Sequence, residues 1–288
     1  MSDNLKWTLI FDAAKCNGCN NCTMATRDEY VGNSFPGYAE EMPLHGHRWI
    51  DLQSHERGKP PIVDVTYFPM MCQHCEEPAC AKVAPPGAVR KRADGIVVID
   101  PLRSKGARQM VDACPFGAIW WNSTKDIPQH WNFDAHLLDS GWSQPRCAQA
   151  CPTGAIVASQ MSESEYDLML ASGEALAFRS TRGKPRVLYK GIEALHTEFV
   201  GGTLVKQIGH EEFDCVVGVA IRLIEGGHVL GEVVSDAFGD FKIDGIDCST
   251  PRKLQVIVGA NAAILSIEIS SSIYLGRIVI PSPTPTSL

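Results

Sequence analysis

The sequence predicts an α+β protein with a cysteine-rich N-terminal region followed by an all-β sandwich. Of the 11 cysteines in 288 residues, only Cys215 and Cys248 lie beyond residue 151. From about residue 201 onward, short apolar runs alternate with turn residues, which is typical of a small β-sandwich. Hydrophobic residues make up 44% and charged residues 20%, a mixture that can bury a core.

The predicted elements of the N-terminal region are few and short. A strand is predicted over 7–11, and a second over 95–99 after an Asp-Gly turn. A helix is predicted over 163–176, where apolar residues recur at helical spacing among acidic ones. In the C-terminal region the apolar runs predict about seven strands, at residues 202–205, 215–224, 228–234, 240–243, 253–258, 263–269 and 274–280.

Charge and hydropathy exclude several classes of protein. The formal net charge is −7, whereas a nucleic-acid binder needs a basic face to neutralise phosphates. The longest mostly apolar stretch, at 254–267, is shorter than the ~18 apolar residues of a membrane-spanning helix. The first six residues carry no apolar signal segment. We therefore expect a cytoplasmic protein without a transmembrane segment, in which cysteines bind metal rather than form disulfides.

A cysteine-bearing unit is repeated along the chain. The sequence CPFGAI at 114–119 matches CPTGAI at 151–156 at every position but the third. A third copy, APPGAV at 84–89, has alanine in place of the cysteine. The N-terminal region is therefore built from several copies of one unit, some of which have lost their cysteines.

The spacing of the cysteines favours iron–sulfur clusters. Three cysteines on one tight loop suit three ligand positions of a cluster, and bacterial ferredoxins take the fourth ligand from a distant Cys-Pro unit. Zinc, which usually takes two thiolates from each of two loops, is the alternative. The chain has two loops of three cysteines and two distant Cys-Pro units: Cys16, Cys19 and Cys22; Cys72, Cys75 and Cys80; Cys114; and Cys151.

These motifs resemble those of the iron–sulfur subunits in the dimethyl sulfoxide reductase family of molybdopterin oxidoreductases. Such subunits have four cysteine motifs on two bacterial-ferredoxin-like modules, one nested in the other. The resemblance implies a non-catalytic electron-transfer subunit whose partner is a large catalytic subunit with molybdopterin, holding molybdenum or tungsten. It also implies a ferredoxin-like domain at 1–199 (modules 1–65/125–199 and 66–124), a β-sandwich domain at 200–280 and a disordered tail at 281–288.

The family pattern implies which cysteines share a cluster, because three cysteines of one motif are joined by the last cysteine of another. One complete set is implied at Cys16, Cys19, Cys22 and Cys151, and a second at Cys72, Cys75, Cys80 and Cys114. The other ligand positions of the family pattern hold residues of other types: Thr26, Ala84, Ser104, Ala107, Met110, Trp131 and Asp134. The resemblance therefore implies two 4Fe-4S clusters rather than four.

The lost ligand positions allow two interpretations. Asp134 could be a carboxylate ligand, and Thr26 or Ser104 an alkoxide ligand. We favour apolar packing by Trp131 and Met110, because protein interiors tolerate few voids and a lost cluster leaves one. The cysteines outside the two sets are expected to be free thiols: Cys147, Cys215 and Cys248.

Further segments narrow the resemblance to one branch, the small subunits that serve transhydroxylases and hydroxylases of phenols (the pyrogallol–phloroglucinol and resorcinol enzymes). The matching segments are 46–49, 94–101, 135–139, 184–190 and 238–241. A transthyretin- or prealbumin-like sandwich after the ferredoxin region is the mark of this branch. The implied function is electron transfer for anaerobic hydroxylation or transhydroxylation of a phenol. The alternative is a structural or docking subunit whose clusters mainly stabilise the fold.

Two smaller features have an ordinary explanation beside a functional one. Arg103, Lys105 and Arg108 form either a solvated basic edge or a docking patch for an anionic partner. His74, inside the second cysteine loop, is expected to form a hydrogen bond beside the cluster rather than to ligate it. No Gly-rich phosphate loop follows a predicted strand and no nucleophile–base pair stands out, so no catalytic residue is predicted.

Overall fold

The computed structural model describes residues 5–178, 183–260 and 263–281. In the N-terminal two-thirds, the strands are β1 (Lys6–Asp12), β2 (Ile50–Lys59), β3 (Ile62–Met71), β4 (Val89–Lys91), β5 (Val97–Ile99), β6 (Trp120–Asn122), β7 (Ile127–Gln129), β8 (Ile156–Met161), β9 (Leu176–Ala177) and β10 (Val187–Lys190). The C-terminal strands are β11 (Glu198–Gln207), β12 (Phe213–Cys215), β13 (Ala220–Glu225), β14 (His228–Val234), β15 (Asp240–Ile246), β16 (Arg252–Val258), β17 (Ala263–Ile269) and β18 (Ile273–Val279). The α-helices are α1 (Asn21–Tyr30), α2 (Ala79–Val83), α3 (Gln109–Asp112), α4 (Ala135–Asp139), α5 (Arg146–Gln149) and α6 (Glu163–Ala171).

The chain divides into two compact units, and the second is discontinuous in sequence. The first unit is Met1–Ser54 with Tyr67–Ile192, and the second is His55–Thr66 with Glu193–Leu288. The predicted domain limits place 55–65 in the first domain, and the compact units place His55–Thr66 in the second. The predicted disordered tail lies outside the described residues except for Pro281.

Strand β1 is an inner strand of the four-stranded sheet β8-β1-β10-β9 in the first unit. It runs antiparallel to β8 and parallel to β10, so that Leu9 lies opposite both Ala158 and Val187. All three of these residues are buried, which explains why this strand is nearly continuous in apolar residues. The predicted strand over 7–11 is confirmed, and the one predicted over 95–99 is shorter, at Val97–Ile99.

The cysteine motifs lie on the short connections of this unit and at the starts of two helices, with Cys22 in α1 and Cys80 in α2. Because these connections are short and turn sharply, left-handed residues are needed there. Gly18 has a φ of 73°, and a Cβ on it would lie 2.7 Å from the ring of Tyr67. Two motifs follow β1 and β3 and the other two follow α3 and α5: Cys16, Cys19 and Cys22; Cys72, Cys75 and Cys80; Cys114; and Cys151.

The predicted helix over 163–176 is correct at its start and too long at its end. The Ser162 hydroxyl accepts the N–H of Glu165, whose carboxylate accepts the N–H of Ser162, so a capping box begins the helix. At the other end Gly173 has a φ of 72°, a left-handed conformation that ends helices. The helix therefore stops at Ala171, and Leu176 begins β9 instead.

Two four-stranded sheets enclose one apolar core in the second unit. One sheet has the order β12-β11-β15, with β18 also paired to β11, and the other has the order β14-β13-β16-β17. Val200 and Leu204 from the first sheet and Leu223 and Val256 from the second are fully buried in the same cluster. The run predicted as one strand over 215–224 is two strands, β12 and β13. Gly218, at a φ of 75°, breaks the extended backbone between them.

The hairpin segment His55–Thr66 belongs to the second unit, where the buried Arg57 holds it in place; the Arg57 side chain is 2% exposed. Its guanidinium donates to the Thr197 carbonyl at 2.8 Å and to both carboxylate oxygens of Asp244 at 2.8 and 3.0 Å. It also pairs with Asp64 and lies 5.4 Å from the centre of the Phe199 ring. A buried charge of this kind is tolerated only with such partners.

None of the helices in the described part of the chain is both long and apolar enough to cross a membrane.

Replacing Leu223 by alanine is expected to lower the free energy of unfolding of the second unit by about 2–5 kcal/mol, because it leaves a cavity between the sheets. Urea unfolding followed by far-ultraviolet circular dichroism measures this change. The control is Leu230→Ala on the neighbouring strand, where the side chain is 42% exposed and a smaller loss is expected. Equal losses for both variants would contradict the assigned core.

Candidate metal centres

The first thiol set consists of Cys16, Cys19, Cys22 and Cys151, and its members interact electrostatically. Burial raises the pKa of the Cys16 thiol, and the neighbouring thiols of Cys151 and Cys19 raise that pKa further. Burial likewise raises the pKa of Cys22 to about 11, with contributions from Cys16 and Cys19. The fold thus brings the distant Cys-Pro unit beside the first cysteine loop.

Two local features bring these segments together. Asn20, at a φ of 63°, turns the loop into α1, and the Asn21 side chain donates to the carbonyl of Ala150 at 3.5 Å. Helix α1 packs against α5, which ends two residues before Cys151. The loop and the Cys-Pro unit are therefore positioned by helix packing.

Backbone N–H groups surround the Cys151 thiol. The pKa of this thiol is lowered. Burial acts to raise it, but hydrogen bonds from the N–H groups of Ile156, Thr153 and Ala155 and from the Thr153 hydroxyl have the larger combined effect. Successive N–H groups in such a turn form an anion-binding nest. The same donors would stabilise a thiolate sulfur bound to iron, and hydrogen bonds to cluster sulfurs tune the reduction potential.

The second thiol set consists of Cys72, Cys75, Cys80 and Cys114. Burial raises the pKa of Cys72 well above its usual value, and the thiols of Cys114, Cys75 and Cys80 add to that rise. Burial and the neighbouring Cys114 raise the pKa of Cys75 to about 11 and that of Cys80 to about 12. Every loop thiol of this set therefore lies near Cys114.

The chemistry of both sets fits an iron–sulfur cluster. Each set offers four thiols, the ligands that cubane clusters use. Most of these thiols have raised pKa values, so they resist ionisation. Four thiolates would therefore form together only around a positively charged group such as iron. A tetrahedral zinc site would bring four sulfurs within about 3.8 Å of one another. In residues 5–178, 183–260 and 263–281, no group of three or more His, Cys, Asp or Glu side chains could hold a single metal ion.

An apolar cluster occupies the positions of one lost site. Met110 is fully buried and Ala107 is 2% exposed, and both pack with Ile99 and Ile119. Ala84, another lost ligand position, packs against the same cluster. Ser104 is also fully buried, and its hydroxyl has no hydrogen-bond partner. This arrangement agrees with apolar packing by Met110.

A hydrogen-bonded aromatic core occupies the positions of the other lost site. The ring of Trp131 is fully buried and stacks on Phe133, with ring centroids 4.9 Å apart. Asp134 accepts hydrogen bonds from Trp131 Nε1 at 3.0 Å, the Tyr30 hydroxyl at 2.9 Å and the Arg146 N–H at 2.8 Å. These donors occupy both carboxylate oxygens, so Asp134 has a structural role that needs no metal.

The remaining residues of this lost site are also buried. Thr26 donates its hydroxyl to the Cys22 carbonyl at 3.0 Å, which satisfies the hydroxyl without a metal. Cys147 is fully buried, and burial raises the pKa of its thiol well above its usual value, with Asp134 and Cys22 adding to the rise. Cys147 is therefore an inert buried thiol. All 11 cysteines of the protein, with Cys215 and Cys248 in the second unit, are free.

His74 contacts the backbone and the aromatic core. Its Nδ1 accepts the N–H of Val97 at 3.1 Å, and burial lowers its pKa well below the usual value. The ring therefore stays neutral, and it packs edge-on against Trp131 and Phe133 at 5.5 and 5.3 Å. The hydrogen bond of His74 fixes the second cysteine loop against β5.

Comparison with known proteins identifies the class. Residues 63–161 match a family model described as a 4Fe-4S dicluster domain, which makes this an iron–sulfur protein. The small subunit of pyrogallol hydroxytransferase from Pelobacter acidigallici is 35% identical over 257 residues, which cover 84% of this chain and 87% of that subunit. The protein belongs to the same family of iron–sulfur subunits, as its cysteine motifs predicted.

Two further relatives are subunits of reductases. The thiosulfate reductase electron transfer subunit PhsB of Salmonella typhi is 27% identical and covers 67% of this chain and 95% of its own length. A subunit of the anaerobic dimethyl sulfoxide reductase of Escherichia coli is 32% identical and covers 52% of this chain and 72% of its own length. Among solved structures, the minor pilin GBS52 of Streptococcus agalactiae covers 56% of this chain and 82% of its own at 14% identity, and its TM-score of 0.25 is too low to assign a fold.

Replacing Trp131 by alanine is expected to lower the free energy of unfolding of the first unit by about 3–5 kcal/mol, because a buried ring is lost and Asp134 loses a donor. Chemical denaturation under anaerobic conditions measures this loss. The control is Trp142→Ala, which removes a ring that is 38% exposed in the same unit. A loss no larger than that of the control would contradict the packing role of Trp131.

Proposed function

We propose that this chain is the electron-transfer subunit of a molybdopterin enzyme and holds one 4Fe-4S cluster on each thiol set. The observation that carries the proposal is the assembly of two groups of four interacting thiols, each from a three-cysteine loop and a distant Cys-Pro unit. The dicluster match and the family of the protein support the number and type of clusters. The chain is not an enzyme on its own.

Each cluster would supply one-electron oxidation and reduction, and the residues of this chain set the conditions for it. The chain shields most of the sulfurs from water, since Cys22 is buried and Cys16 and Cys151 are only partly exposed. It donates backbone N–H groups to Cys151, which stabilises negative charge on that sulfur. Burial and hydrogen bonding of this kind set the reduction potential of a cluster.

Positive charge on a partly buried lysine and a buried arginine lies beside the second thiol set. Lys91 Nζ donates to the carbonyls of His74 at 2.8 Å and Gly95 at 2.7 Å, and its charge acts on the Cys75 thiol. The fully buried Arg186 donates to the Glu76 carboxylate at 2.6 Å. A nearby cation favours the reduced, more negative cluster, so Lys91 is expected to raise the reduction potential of this cluster.

Replacing Lys91 by glutamine is therefore expected to lower the reduction potential of the cluster on the second set by roughly tens of millivolts. Redox titration monitored by electron paramagnetic resonance measures both clusters in one sample. The cluster on the first set is the internal control and should keep its potential. Equal shifts of both clusters would show that the change is not local.

The proposed partner is a large molybdopterin subunit that hydroxylates or transhydroxylates a phenol under anaerobic conditions. The name of the pyrogallol hydroxytransferase relative and its coverage of both chains support this proposal. The proposed location is the cytoplasm, where reducing conditions keep thiols available for clusters. The proposed architecture is two nested ferredoxin-like modules with a prealbumin-like sandwich, and the shared core of two four-stranded sheets supports the sandwich.

A structural role of the clusters is the second candidate. One observation favours it: packed side chains occupy the ligand positions that the family pattern assigns to two further clusters. Two clusters without a bridging third would still stabilise a loop-rich unit. Reduction of both clusters by the reduced catalytic subunit supports electron transfer, and two clusters that stay oxidised throughout turnover support the structural role.

The ligand sets are tested by two substitutions within one motif. Cys151→Ala should remove the first cluster and lower the iron content from about eight to about four atoms per chain. Cys147→Ala should leave the iron content and the visible absorbance unchanged. Iron and acid-labile sulfide analysis of anaerobically purified protein measures both results. Loss of a cluster on Cys147→Ala, or its retention on Cys151→Ala, would contradict the assigned set.

A further inference from the structure

A cleft with a volume of about 830 Å³ opens in the first unit beside the loop of the first thiol set. Its walls come from the start of α1, the segment 44–48, the start of β2 and Trp120. Asn20, which follows Cys19 directly, lies at its edge. Cys19 is the one exposed cysteine among the eight of the two thiol sets. The cleft therefore adjoins the most accessible ligand of either proposed cluster.

The cleft is basic, although the whole protein has a net charge of −7. Backbone carbonyls of Leu44 and His47 accept hydrogen bonds from the guanidinium of Arg27 at 2.5 and 3.1 Å, which fixes its position. No carboxylate in the part of the chain that the structure describes forms an ion pair with Arg27. The side chain of Arg48 is 66% exposed and has one partner, Asp51, at 3.2 Å. Two guanidinium groups and one carboxylate thus line the cleft.

A buried hydrogen-bond acceptor without a partner lies in the same cleft. His47 is 7% exposed, and its Nε2 lies 3.0 Å from the carbonyl oxygen of Trp121. Because a carbonyl can only accept, Nε2 carries the proton and Nδ1 is a bare acceptor. Burial lowers the pKa of His47, which keeps the ring neutral. Nδ1 has no hydrogen-bond partner and is covered by the protein, so the His47 ring contributes a neutral, fixed wall to the cleft.

Two large apolar side chains complete the lining. Met24 is 59% exposed and Leu44 is 61% exposed. Protein-binding surfaces typically combine apolar side chains with arginines, as this cleft does. A carboxylate-bearing segment with apolar side chains would match all of these groups at once.

We propose that this cleft is the docking site of an acidic segment of the catalytic subunit, which places that subunit against the exposed edge of the first cluster. This inference rests on the proposed function and names the surface through which it operates. Carboxylates of the segment pair with Arg27 and Arg48, and its apolar side chains contact Met24 and Leu44. Complementary charge of this kind sets orientation and association rate.

The competing surface is the basic edge at Arg103, Lys105 and Arg108. It offers a matched control, because the side chain of Arg103 is 64% exposed and has one carboxylate partner three residues away, as Arg48 has. Arg48→Glu and Arg103→Glu therefore make the same change in charge at two sites of similar exposure.

The experiment measures the dissociation constant between the cluster-loaded protein and its catalytic subunit at low and high salt, under anaerobic conditions. Arg48→Glu and Arg27→Glu should each weaken binding tenfold or more at low salt. Arg103→Glu should stay within twofold of the unchanged protein. Iron content and thermal stability confirm that each variant is folded and loaded.

Three outcomes would overturn the inference. Dissociation constants within twofold for both cleft arginine variants would show that the segment binds elsewhere, and weakening by Arg103→Glu alone would assign docking to the basic edge. Self-association of the protein that is lost on Arg48→Glu would identify a second copy as the occupant. If the unchanged protein binds no catalytic subunit at all, the proposed function fails, and this result is distinct from the other three.

Discussion

The structure depends on the meeting of cysteine loops with Cys-Pro units that lie far away in sequence. Four sulfurs held close together repel one another when they are ionised, and the raised pKa values of Cys22, Cys75 and Cys80 reflect this cost together with burial. A cluster that binds all four removes the cost and ties separate segments to one point. Cluster binding at these thiols would therefore add cohesion to a unit that consists of short helices, short strands and hairpins.

Side chains fill the interior in different ways at the two sets of positions where the family pattern has cysteine ligands and this chain has other residues. Around Met110 the replacement is apolar, with aliphatic neighbours and a small residue at 107. Around Trp131 the replacement is a hydrogen-bonded network in which Asp134 accepts three donors. In both places the interior is close-packed, as protein interiors generally are. Packing and hydrogen bonds therefore hold the residues at both sets of positions.

Elements marked by local patterns could be predicted from the sequence, whereas contacts between distant segments could not. Strand β1 and the start of α6 could be predicted because apolar runs and a capping box are local signals. Helix α1 could not, because its buried positions include Thr23, Thr26 and Glu29, and no apolar stripe marks it. The predicted helix is longer than α6 because the apolar residues continue past Gly173 into β9.

The same limit applies to the site. The spacing of the cysteines predicts iron–sulfur ligation, and the family pattern predicts how they group. The neighbours that tune them could not, because Lys91 reaches the second cysteine loop through the carbonyl of His74, a contact between segments far apart in sequence. The buried acceptor of His47 is likewise invisible in a sequence, since it depends on which nitrogen faces the Trp121 carbonyl.

The route of the chain through the second unit limits where the molecule can be cut. A fragment that began at Glu193 would keep Asp244 and Phe199 and lose the guanidinium that they enclose. A fragment that ended at Ile192 would carry Arg57 without its carboxylate from β15. Neither fragment contains all of its own stabilising contacts. To express the second unit separately, the segment His55–Thr66 must be included with the C-terminal strands.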